Sequence, residues 1–462
     1  MTRDAKTMHD NLSYWFNSAE PYMPNEVLNT CETVDICIIG GGVTGLSTAY
    51  HLRKKNPHVS VALLEGQVIG YGASGRNAGQ MIVSVGDNDF RAQLKRYGAD
   101  KLRELHTYVH EGIDLIKTMT REHNIACDLN PSGYLLMGLK SEGNENLNSY
   151  MKFSQSIYQD QFLESISERD IAAAFTSAYF GSAIFDRRGG QFNPLKFIRG
   201  LKQVAMKLGV NIFEHSPVAS IERNASHITL RTGCGVVRCN KLVIATNAYS
   251  HLLKGLKDVA FERNQTPIMV YANVTAPLSA SQWQQLGWAR RCGVNVLSDL
   301  FYSFAPTADG RLLYVGGYYT HAPSGNEMSP EISTGFMNNG PKQLAAFFPN
   351  LAGVPTAQSW GGPISVTRDY IPHIGVLADP RISYANGCWG HGMPLGARNG
   401  QTLADLALDL HSTDTRAWLV RRDKSYWPLR SITPLIVQSV SSVLRYGVRR
   451  KASKLGMSFE PE

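Results

Sequence analysis

The apolar positions in the first part of the chain follow two different periods in turn. Residues 34–39 form an apolar run with the length and β-branched content of a buried parallel strand. Leu46, Ala49 and Leu52 then recur at helical spacing, and a second apolar run follows at residues 59–64. A strand, a helix and a second strand in this order predict a βαβ unit built on a parallel sheet.

Later parts of the chain repeat at other periods. Leu102, Leu105 and Val109 place one apolar face on a helix predicted within residues 90–125. From residue 261 onward, apolar and polar residues alternate in short runs separated by turns such as Asp309-Gly310. This alternation predicts an antiparallel sheet. The predicted fold class is therefore α/β with an added antiparallel sheet.

Three glycines stand where the first strand meets the helix. Gly40, Gly42 and Gly45 have G-x-G-x-x-G spacing, and Glu65 ends the second strand twenty residues after Gly45. Such glycines permit a tight turn, the approach of a pyrophosphate to the backbone, and close packing of the helix on the sheet. The helix N-terminus favours phosphates, and the acid accepts hydrogen bonds from an adenosine ribose. The pattern predicts a dinucleotide site. Glu65 disfavours a 2′-phosphate, which leaves NAD and FAD open.

Composition narrows the class of protein. The 462 residues are 43% hydrophobic and 18% charged, an ordinary globular balance with room for two or three domains. We find no uninterrupted apolar stretch of about eighteen residues, as a bilayer-spanning helix needs, and residues 1–16 lack the apolar core of a secretory signal. The seven cysteines are scattered without zinc spacing, so we expect reduced packing residues and no metal.

The positive charge is concentrated near the C-terminus. The chain has a net charge of +8, and no nucleic-acid module accompanies it. An apolar stripe that includes Ile432, Ile436 and Val440 precedes a basic cluster. The cluster comprises Arg445, Arg449, Arg450, Lys451 and Lys454. Two interpretations stay open: a helix docked on the body, or a basic amphipathic helix on an anionic membrane surface.

A loop of small residues follows Glu65. Residues 70–80 read Gly-Tyr-Gly-Ala-Ser-Gly-Arg-Asn-Ala-Gly-Gln. Together with the strand, glycines and helix before it, this loop resembles the D-amino-acid-oxidase-like superfamily of FAD enzymes. In that superfamily, such a segment follows the ribose-binding acid and passes the flavin. The resemblance implies FAD as the cofactor.

Further segments extend the resemblance over most of residues 34–410. They are Gly189-Gly190 with Pro194, the A-T-N-A-Y run at residues 245–249, the D-G-R hairpin at residues 309–317, the W-G-G…T-R-D segment at residues 360–375, and the G-C-W-G-H-G loop at residues 387–392. In the superfamily, that last loop lies at the flavin pyrimidine. Some relatives attach FAD through a cysteine within the tryptophan segment. This chain has no cysteine there, so the resemblance implies non-covalent FAD.

The resemblance also implies the residues of the site. Those expected to bind the cofactor are Gly40, Gly42, Val43, Thr44, Gly45, Glu65, Gly72, Ala73, Ser74, Gly75, Arg76, Asn77, Ala78, Gly79, Gln80, Val218, Thr246, Asn247, Ala248, Gly362, Trp389, Gly390, His391, Gly392, Met393 and Pro394. Those expected to act in catalysis are Gln80, Arg76, His391 and Trp389. For substrate binding we expect an aromatic wall formed by Tyr302, Phe304, Tyr318 and Tyr319. A substrate carboxylate requires a guanidinium, for which the candidates are Arg76, Arg368 and Arg290.

We expect the chain to divide into four parts. These are an N-terminal arm packed on the body at residues 1–33; a discontinuous Rossmann-like FAD-binding domain at 34–90, 185–255 and 356–420; a second, mostly antiparallel substrate-binding domain at 91–184 and 256–355; and a basic amphipathic C-terminal segment at 421–462.

The resemblance implies hydride transfer from a carbon bearing an amine to flavin N5, with hydrolysis of the resulting imine. If the amine enters neutral, no dedicated side-chain base is required. We favour an L-amino acid as substrate, with oxygen as the acceptor and hydrogen peroxide as a product. The alternatives are a γ-glutamylputrescine oxidoreductase acting on a primary amine, a membrane-linked dehydrogenase that uses a quinone, and a non-catalytic FAD-binding protein. We expect a cytoplasmic location or a peripheral one on the inner membrane face. A homodimer stays open.

Overall fold

The computed structural model describes residues 12–82, 90–140, 144–177, 179–256, 261–298, 302–321, 334–428 and 432–453. Its strands are β1 (Cys31–Ile39), β2 (Val61–Leu64), β3 (Gln80–Met81), β4 (Tyr134–Leu139), β5 (Leu163–Ile166), β6 (Phe180–Asp186), β7 (Gly190–Gln191), β8 (Val210–Phe213), β9 (Ser220–Arg223), β10 (Ile228–Arg231), β11 (Val236–Ile244), β12 (Thr266–Thr275), β13 (Gly293–Leu297), β14 (Tyr302–Pro306), β15 (Leu312–His321), β16 (Thr356–Val366), β17 (His373–Val376) and β18 (Ile382–Asn386).

Its α-helices are α1 (Tyr14–Ser18), α2 (Val43–Lys55), α3 (Phe90–Tyr97), α4 (Ala99–Glu122), α5 (Glu145–Phe153), α6 (Glu168–Ala174), α7 (Pro194–Lys207), α8 (Phe261–Asn264), α9 (Ala280–Leu286), α10 (Thr334–Phe347), α11 (Gly392–Ala407), α12 (Thr413–Arg416), α13 (Trp418–Arg421) and α14 (Thr433–Ser453). Shorter 3₁₀ turns cover Ala73–Gly75, Asn247–Leu252 and Pro349–Leu351, and a π-helical turn covers Ser154–Tyr158. Among the helices described, none is both long enough and apolar enough to cross a membrane.

The first sheet contains the predicted βαβ unit. Its strand order is β17-β18-β11-β1-β2-β8, with β9 and β10 attached beside β11. The four inner pairings, from β18 through β8, are parallel. The side chains of Cys37 and Ile38 in β1 are fully buried, as a strand covered on both faces requires.

The second sheet is almost entirely antiparallel. Its order is β16-β12-β15-β14-β13-β4-β6-β5, and only the β13–β4 pair is parallel. The predicted hairpin joins β14 to β15, and Gly310 in its turn has a φ of +80°. The sequence-based fold class, a Rossmann-like domain with a mostly antiparallel second domain, is confirmed.

Two segments pack with a different sheet from the one predicted. Residues 91–184 were expected in the substrate-binding domain, and residues 356–420 were expected in the FAD-binding domain. Helix α4 belongs to the core of the first sheet, where Leu105 and Val109 pack with Ile38 of β1. Strand β16 is hydrogen-bonded along its length to β12 of the second sheet. The apolar pattern correctly predicted a buried face for α4. It does not reveal which of two adjacent cores a face enters.

Helices α2, α4 and α11 pack closely because small residues stand at their crossings. A Cβ added at Gly396 of α11 would lie 2.5 Å from Val43 Cγ1, and one at Gly400 would lie 2.5 Å from Ser47 Cβ. A Cβ at Gly112 of α4 would lie 2.1 Å from the carbonyl oxygen of Pro394. These contacts fix the N-terminus of α11 beside the N-terminus of α2.

The N-terminal arm packs on the body, as expected. Trp15 is buried, and its Nε1 donates to the carbonyl of Asn77 at 2.7 Å. Further along the arm, the Tyr22 hydroxyl donates to the buried Glu214 carboxylate at 2.7 Å. Lys202 Nζ pairs with the same carboxylate at 2.6 Å. The arm therefore holds the loop at residues 70–80 from behind.

Candidate active site

A cavity of about 410 Å³ lies between the two sheets. Ala245 and Asn386, at the carboxyl ends of β11 and β18, line one side, and Tyr271 of β12 and Ser303 of β14 line the other. Ligands of open parallel sheets bind at the carboxyl ends of the strands. The cavity therefore occupies the position expected for a dinucleotide cofactor.

The glycine turn forms one wall of this cavity. Gly42, Val43 and Thr44, at the start of α2, line it. A Cβ added at Gly45 would lie 1.9 Å from the carbonyl oxygen of Gly40. Gly40 itself has a φ of +112° and faces the carbonyl of Ala245, 2.7 Å from an added Cβ. The predicted roles of the glycines in bending the chain and packing the helix match this geometry.

Glu65 lies at the end of β2, behind the glycine turn. Its Oε2 accepts the N–H of Gly41 at 2.7 Å, and its Oε1 accepts the N–H of Gln67 at 2.9 Å. Burial raises the pKa of the Glu65 carboxyl, and these backbone donors oppose the rise. Val218 follows Pro217, which lies 3.6 Å from a Cβ placed on Gly66. The two residues predicted to flank the adenosine are therefore neighbours in space.

The loop at residues 70–80 runs past the glycine turn. Ser74 Oγ accepts the N–H of Val43 at 2.9 Å, which ties the loop to the start of α2. The buried Arg76 donates from Nε to the carbonyl of Tyr71 at 2.8 Å, and from Nη1 to the carbonyl of Gly361 at 3.0 Å. Burial lowers the pKa of the Arg76 guanidinium. A Cβ on Gly362 would meet Arg76 Cδ at 2.9 Å, so this glycine leaves the space that the arginine occupies.

Gln80 connects the loop to the second sheet. Its Nε2 donates to Ser303 Oγ at 2.9 Å and to the carbonyl of Phe304 at 3.0 Å. Its Oε1 accepts from Asn295 Nδ2 at 2.7 Å. Gln80, Asn295 and Ser303 all line the cavity. The amide group therefore forms part of the cavity floor and joins the loop at residues 70–80 to the second sheet.

A second glycine-rich loop leads into α11. Trp389, Gly390, His391, Gly392 and Met393 all line the cavity. Trp389 has a φ of +49°, and its ring stacks on that of Tyr370 with centroids 4.3 Å apart. Burial lowers the pKa of His391 to about 4, so its imidazole is neutral at pH 7. The positive potential at this wall therefore comes from the N-terminus of α11, not from a charged histidine.

The cavity provides what an FAD molecule needs. The N-termini of α2 and α11 both face it, and each favours an electron-rich group. Asn386 is buried and lines the cavity, and neither atom of its amide has a hydrogen-bond partner among the described residues. An orphaned buried amide is costly, so it indicates a polar ligand group at this position. The residues present fit FAD.

Many of the predicted cofactor and catalytic residues meet at this cavity. Those that line it are Gly42, Val43, Thr44, Ala73, Ser74, Arg76, Asn77, Ala78, Gln80, Asn247, Gly362, Trp389, Gly390, His391, Gly392 and Met393. The others lie outside its lining: Gly40, Gly45, Glu65, Gly72, Gly75, Gly79, Val218, Thr246, Ala248 and Pro394. Several of these, such as Gly45 and Pro394, form the close backbone contacts behind the wall.

Of the residues predicted to bind substrate, Arg76 lines the cavity, whereas Tyr302, Phe304, Arg368 and Arg290 do not. Tyr302 is fully buried on the far face of β14, where its ring lies 5.2 Å from that of Phe347. Alternation along the strand points its neighbour Ser303 into the cavity instead. Arg368 is exposed and donates to the carbonyl of Tyr426 at 3.4 Å. Arg290 is also exposed and lies over the ring of Phe185. The side chains of Tyr318 and Tyr319, also considered for the wall, lie outside the described residues.

Sequence reasoning missed two parts of the site. Asn386 ends β18, and the rule that ligands bind at the carboxyl ends of parallel strands would have identified it. The other part is the C-terminal helix α14, whose Ile436, Val437, Val440 and Leu444 line the cavity. Its apolar stripe is visible in the sequence, but no local signal shows which surface the stripe covers.

A cluster of side chains that could bind a metal lies outside the cavity lining. Ligand atoms of His106, His110 and Asp160 lie within 4.8 Å of one another. Asp160 Oδ2 accepts from His106 Nε2 at 3.0 Å and from Arg188 Nη2 at 2.5 Å, and its Oδ1 accepts the N–H of Phe162 at 2.9 Å. A guanidinium already neutralises the carboxylate, so a cation would have to displace Arg188. We assign no metal to this cluster.

The fold and the cavity together define a two-domain flavoprotein oxidoreductase. Residues 35–406 match the DAO family, described as FAD dependent oxidoreductase. The match covers most of the chain, and the chain belongs to this family. Its cofactor is FAD.

Curated relatives have related activities. The gamma-glutamylputrescine oxidoreductase of Escherichia coli is 31% identical over 394 residues, which is 85% of this chain and 88% of the relative. The probable oxidoreductase OrdL of Haemophilus influenzae is 30% identical over 398 residues, with 86% and 88% covered. The chain is therefore a member of a family of amine and amino-acid oxidoreductases.

Solved structures share the fold. A glycine oxidase from Geobacillus kaustophilus superposes with a TM-score of 0.68 at 20% identity, covering 84% of this chain and 98% of its own. An L-amino acid deaminase from Proteus vulgaris gives a TM-score of 0.68 at 17% identity, with 88% and 99% covered. At these identities the likeness concerns the fold alone.

Proposed function

We propose that the chain oxidises L-amino acids with apolar side chains. The overall reaction converts R–CH(NH₂)–COO⁻, oxygen and water into R–CO–COO⁻, ammonia and hydrogen peroxide. One observation carries the proposal: a single cavity joins the FAD-binding loops to an apolar wall, and Arg76 is the only permanently charged side chain among the described residues that line it. We further propose a cytoplasmic enzyme with oxygen as acceptor, as expected from the sequence.

The apolar wall supports a substrate with an apolar side chain. Ile268, Ile364 and Val366 contribute to it from the second sheet, and Val437 and Val440 contribute from α14. Each methylene of a side chain buried here gains about 0.8 kcal/mol. In a homologous series, affinity should then rise about fourfold per methylene until the wall is filled.

The side chains that line the cavity favour entry of a neutral amine over entry of an ammonium ion. Among the described lining residues there is no Asp or Glu side chain to stabilise an ammonium. When bound, the flavin supplies the acceptor for the hydride that leaves the amine-bearing carbon. The chain's own contribution is positioning. Gln80, Asn295 and Ser303 hold the floor, and Arg76 supplies the positive charge that a substrate carboxylate needs.

A second candidate is the oxidation of a primary amine such as γ-glutamylputrescine. The 31% identity to the Escherichia coli enzyme favours it. This substrate has no carboxylate beside the reacting carbon, and its far end bears both a carboxylate and an ammonium. Among the described lining residues, only Arg76 offers a permanent charge to that end. The products differ: an aldehyde and ammonia replace the 2-oxo acid and ammonia.

The test is a substrate panel with product identification. Purified holoenzyme is supplied with L-leucine, D-leucine, 3-methylbutylamine and γ-glutamylputrescine, and peroxide, ammonia and carbonyl product are quantified. 3-Methylbutylamine is leucine without its carboxylate, so it serves as the matched control for carboxylate recognition. We expect L-leucine to exceed the other three in kcat/KM by at least about tenfold. A tenfold preference for γ-glutamylputrescine would replace the proposal with the second candidate.

A further inference from the structure

The mouth of the flavin cavity lies on one flank of α14. Ile436 and Val440 line the cavity, yet 37% and 50% of their surfaces are exposed to solvent. Val437, one residue further along, lines the cavity and is buried. Because Ile436 and Val440 have both a cavity side and a solvent side, the cavity opens beside them.

The surface next to this mouth is apolar. Leu435, Val443 and Tyr446 are 65%, 69% and 68% exposed, and Ile432 is 44% exposed. At 100° per residue, these four positions fall within a sector of about 80° that adjoins Ile436 and Val440. Of the thirteen large apolar side chains exposed in the described chain, seven lie between residues 426 and 446. Such clustering marks an interaction surface, since scattered exposed apolar residues are otherwise normal.

The charge of this part of the chain has one sign. Residues 424–459 contain seven of the 46 Lys and Arg residues and none of the 38 Asp and Glu residues. The segment therefore carries most of the net charge of +8. Arg450 is exposed within α14, whereas Lys454 and the side chains of Arg445, Arg449 and Lys451 lie outside the described residues. For these four residues, the positive charge is known from the sequence only.

We propose that the exposed flank of α14, defined by Ile432, Leu435, Val443 and Tyr446, rests on an anionic lipid surface. An apolar flank with basic residues is what such a surface selects. A second copy of the chain is a poorer occupant, because it would bring seven more cations and no carboxylate from this segment. The mouth of the flavin cavity then opens at the lipid surface, so an apolar molecule dissolved in the bilayer can enter beside Val440. The inference does not depend on which amine is oxidised.

The first experiment uses the intact holoenzyme. It is sedimented with vesicles of phosphatidylcholine alone and with vesicles containing phosphatidylglycerol, at low and at high salt. We expect binding to the anionic vesicles, weakened but not abolished by salt, because burial of the apolar flank is less screened than charge attraction. No sedimentation with anionic vesicles at low salt would overturn the proposal. A concentration-dependent dimer without vesicle binding would assign the flank to a second copy.

A matched pair of variants locates the contact. Leu435→Glu with Val443→Glu places two carboxylates on the proposed flank, and Gln438→Glu with Ser442→Glu places the same charge at two exposed polar positions that lie just outside that sector. Leu435 and Val443 do not line the cavity, so kcat/KM for a soluble substrate should stay unchanged. We expect the first variant to lose vesicle binding by about tenfold more than the second. Equal losses in both variants would show that charge alone attracts the protein and would overturn the role of the flank. Absorbance at the flavin band confirms that both variants retain FAD.

Discussion

Replacing Gln80 with alanine should weaken the attachment of the loop at residues 70–80 to the second sheet. In the folded protein, the Gln80 amide donates to Ser303 Oγ and to the carbonyl of Phe304, and it accepts from Asn295 Nδ2. The substitution removes all three hydrogen bonds while leaving the backbone of the loop in place. The interpretation is that Gln80 acts mainly by holding the cavity floor.

The expected loss follows from the groups left behind. The carbonyl of Phe304 and the Nδ2 of Asn295 each lose this partner, and a buried unsatisfied group costs about 1–3 kcal/mol. Because Gln80, Asn295 and Ser303 all border the cavity, water can replace part of the lost hydrogen bonding. The cost for each group should therefore lie near the lower end of that range. We expect a total loss of about 2–3 kcal/mol. For a domain of about 150–250 residues this corresponds to a fall in melting temperature of about 4–12 °C.

A graded series measures this loss. Melting is followed by circular dichroism at saturating FAD for Gln80→Ala, Asn295→Ala, Ser303→Ala and the Gln80→Ala/Asn295→Ala double variant. Ser303→Ala should lower the melting temperature least, because the Gln80 amide still donates to the carbonyl of Phe304 in that variant. The double variant should cost about 1 kcal/mol less than the sum of its two singles. FAD content should stay at the wild-type level, while kcat/KM falls as the floor shifts.

Two outcomes would contradict a supporting role for Gln80. If Gln80→Ala melts at the wild-type temperature and still loses more than about a hundredfold in kcat, its amide acts on the reacting atoms. Strict additivity in the double variant would likewise show that the Gln80–Asn295 hydrogen bond contributes nothing to stability.

Three further predictions concern FAD binding, pH-dependent stability and the non-covalent attachment of FAD. Gly42→Val should abolish FAD retention, since Gly42 lines the cavity and an added Cβ already lies 2.9 Å from Ser74 Oγ; stoichiometric FAD in that variant would rule out the assigned phosphate loop. Burial lowers the pKa of His373 and of His391 to about 4, whereas both imidazoles titrate near 6.5 in the unfolded chain. Below about pH 6.5 the unfolded chain therefore binds more protons than the folded protein, so the melting temperature should decrease from pH 7 to pH 5. An unchanged melting temperature would contradict both pKa shifts. Heat denaturation should release intact FAD into the supernatant, whereas flavin that remains with the precipitate would show a covalent link.

The sequence predicted the first wall of the site because its signals are local. The turn at Gly40, Gly42 and Gly45, and the loop ending in Gln80, take their geometry from residues a few positions away. The structure places this turn and loop at one cavity. The second glycine loop, ending in His391, was predicted for the same reason.

The other wall depends on relations that no local pattern contains. Alternation predicted β14 correctly, yet it could not decide whether Tyr302 or Ser303 faces the cavity, because both faces of that strand are buried. The exposed position of Arg368 depends on the chain around Tyr426, which is far away in sequence. Likewise, the stripe on α14 indicated an apolar partner, but only tertiary packing shows that Val437 and Val440 cover the flavin cavity.

Anaerobic titration of the purified yellow holoenzyme with L-amino acids tests directly whether the protein oxidises them. Because the proposed reaction transfers a hydride from the substrate to FAD, about one equivalent of L-leucine should bleach the flavin band. An equal amount of 3-methylbutylamine should leave the band unchanged over the same time. Amino-acid oxidation is ruled out if none of the twenty L-amino acids bleaches the flavin, or if γ-glutamylputrescine alone does so.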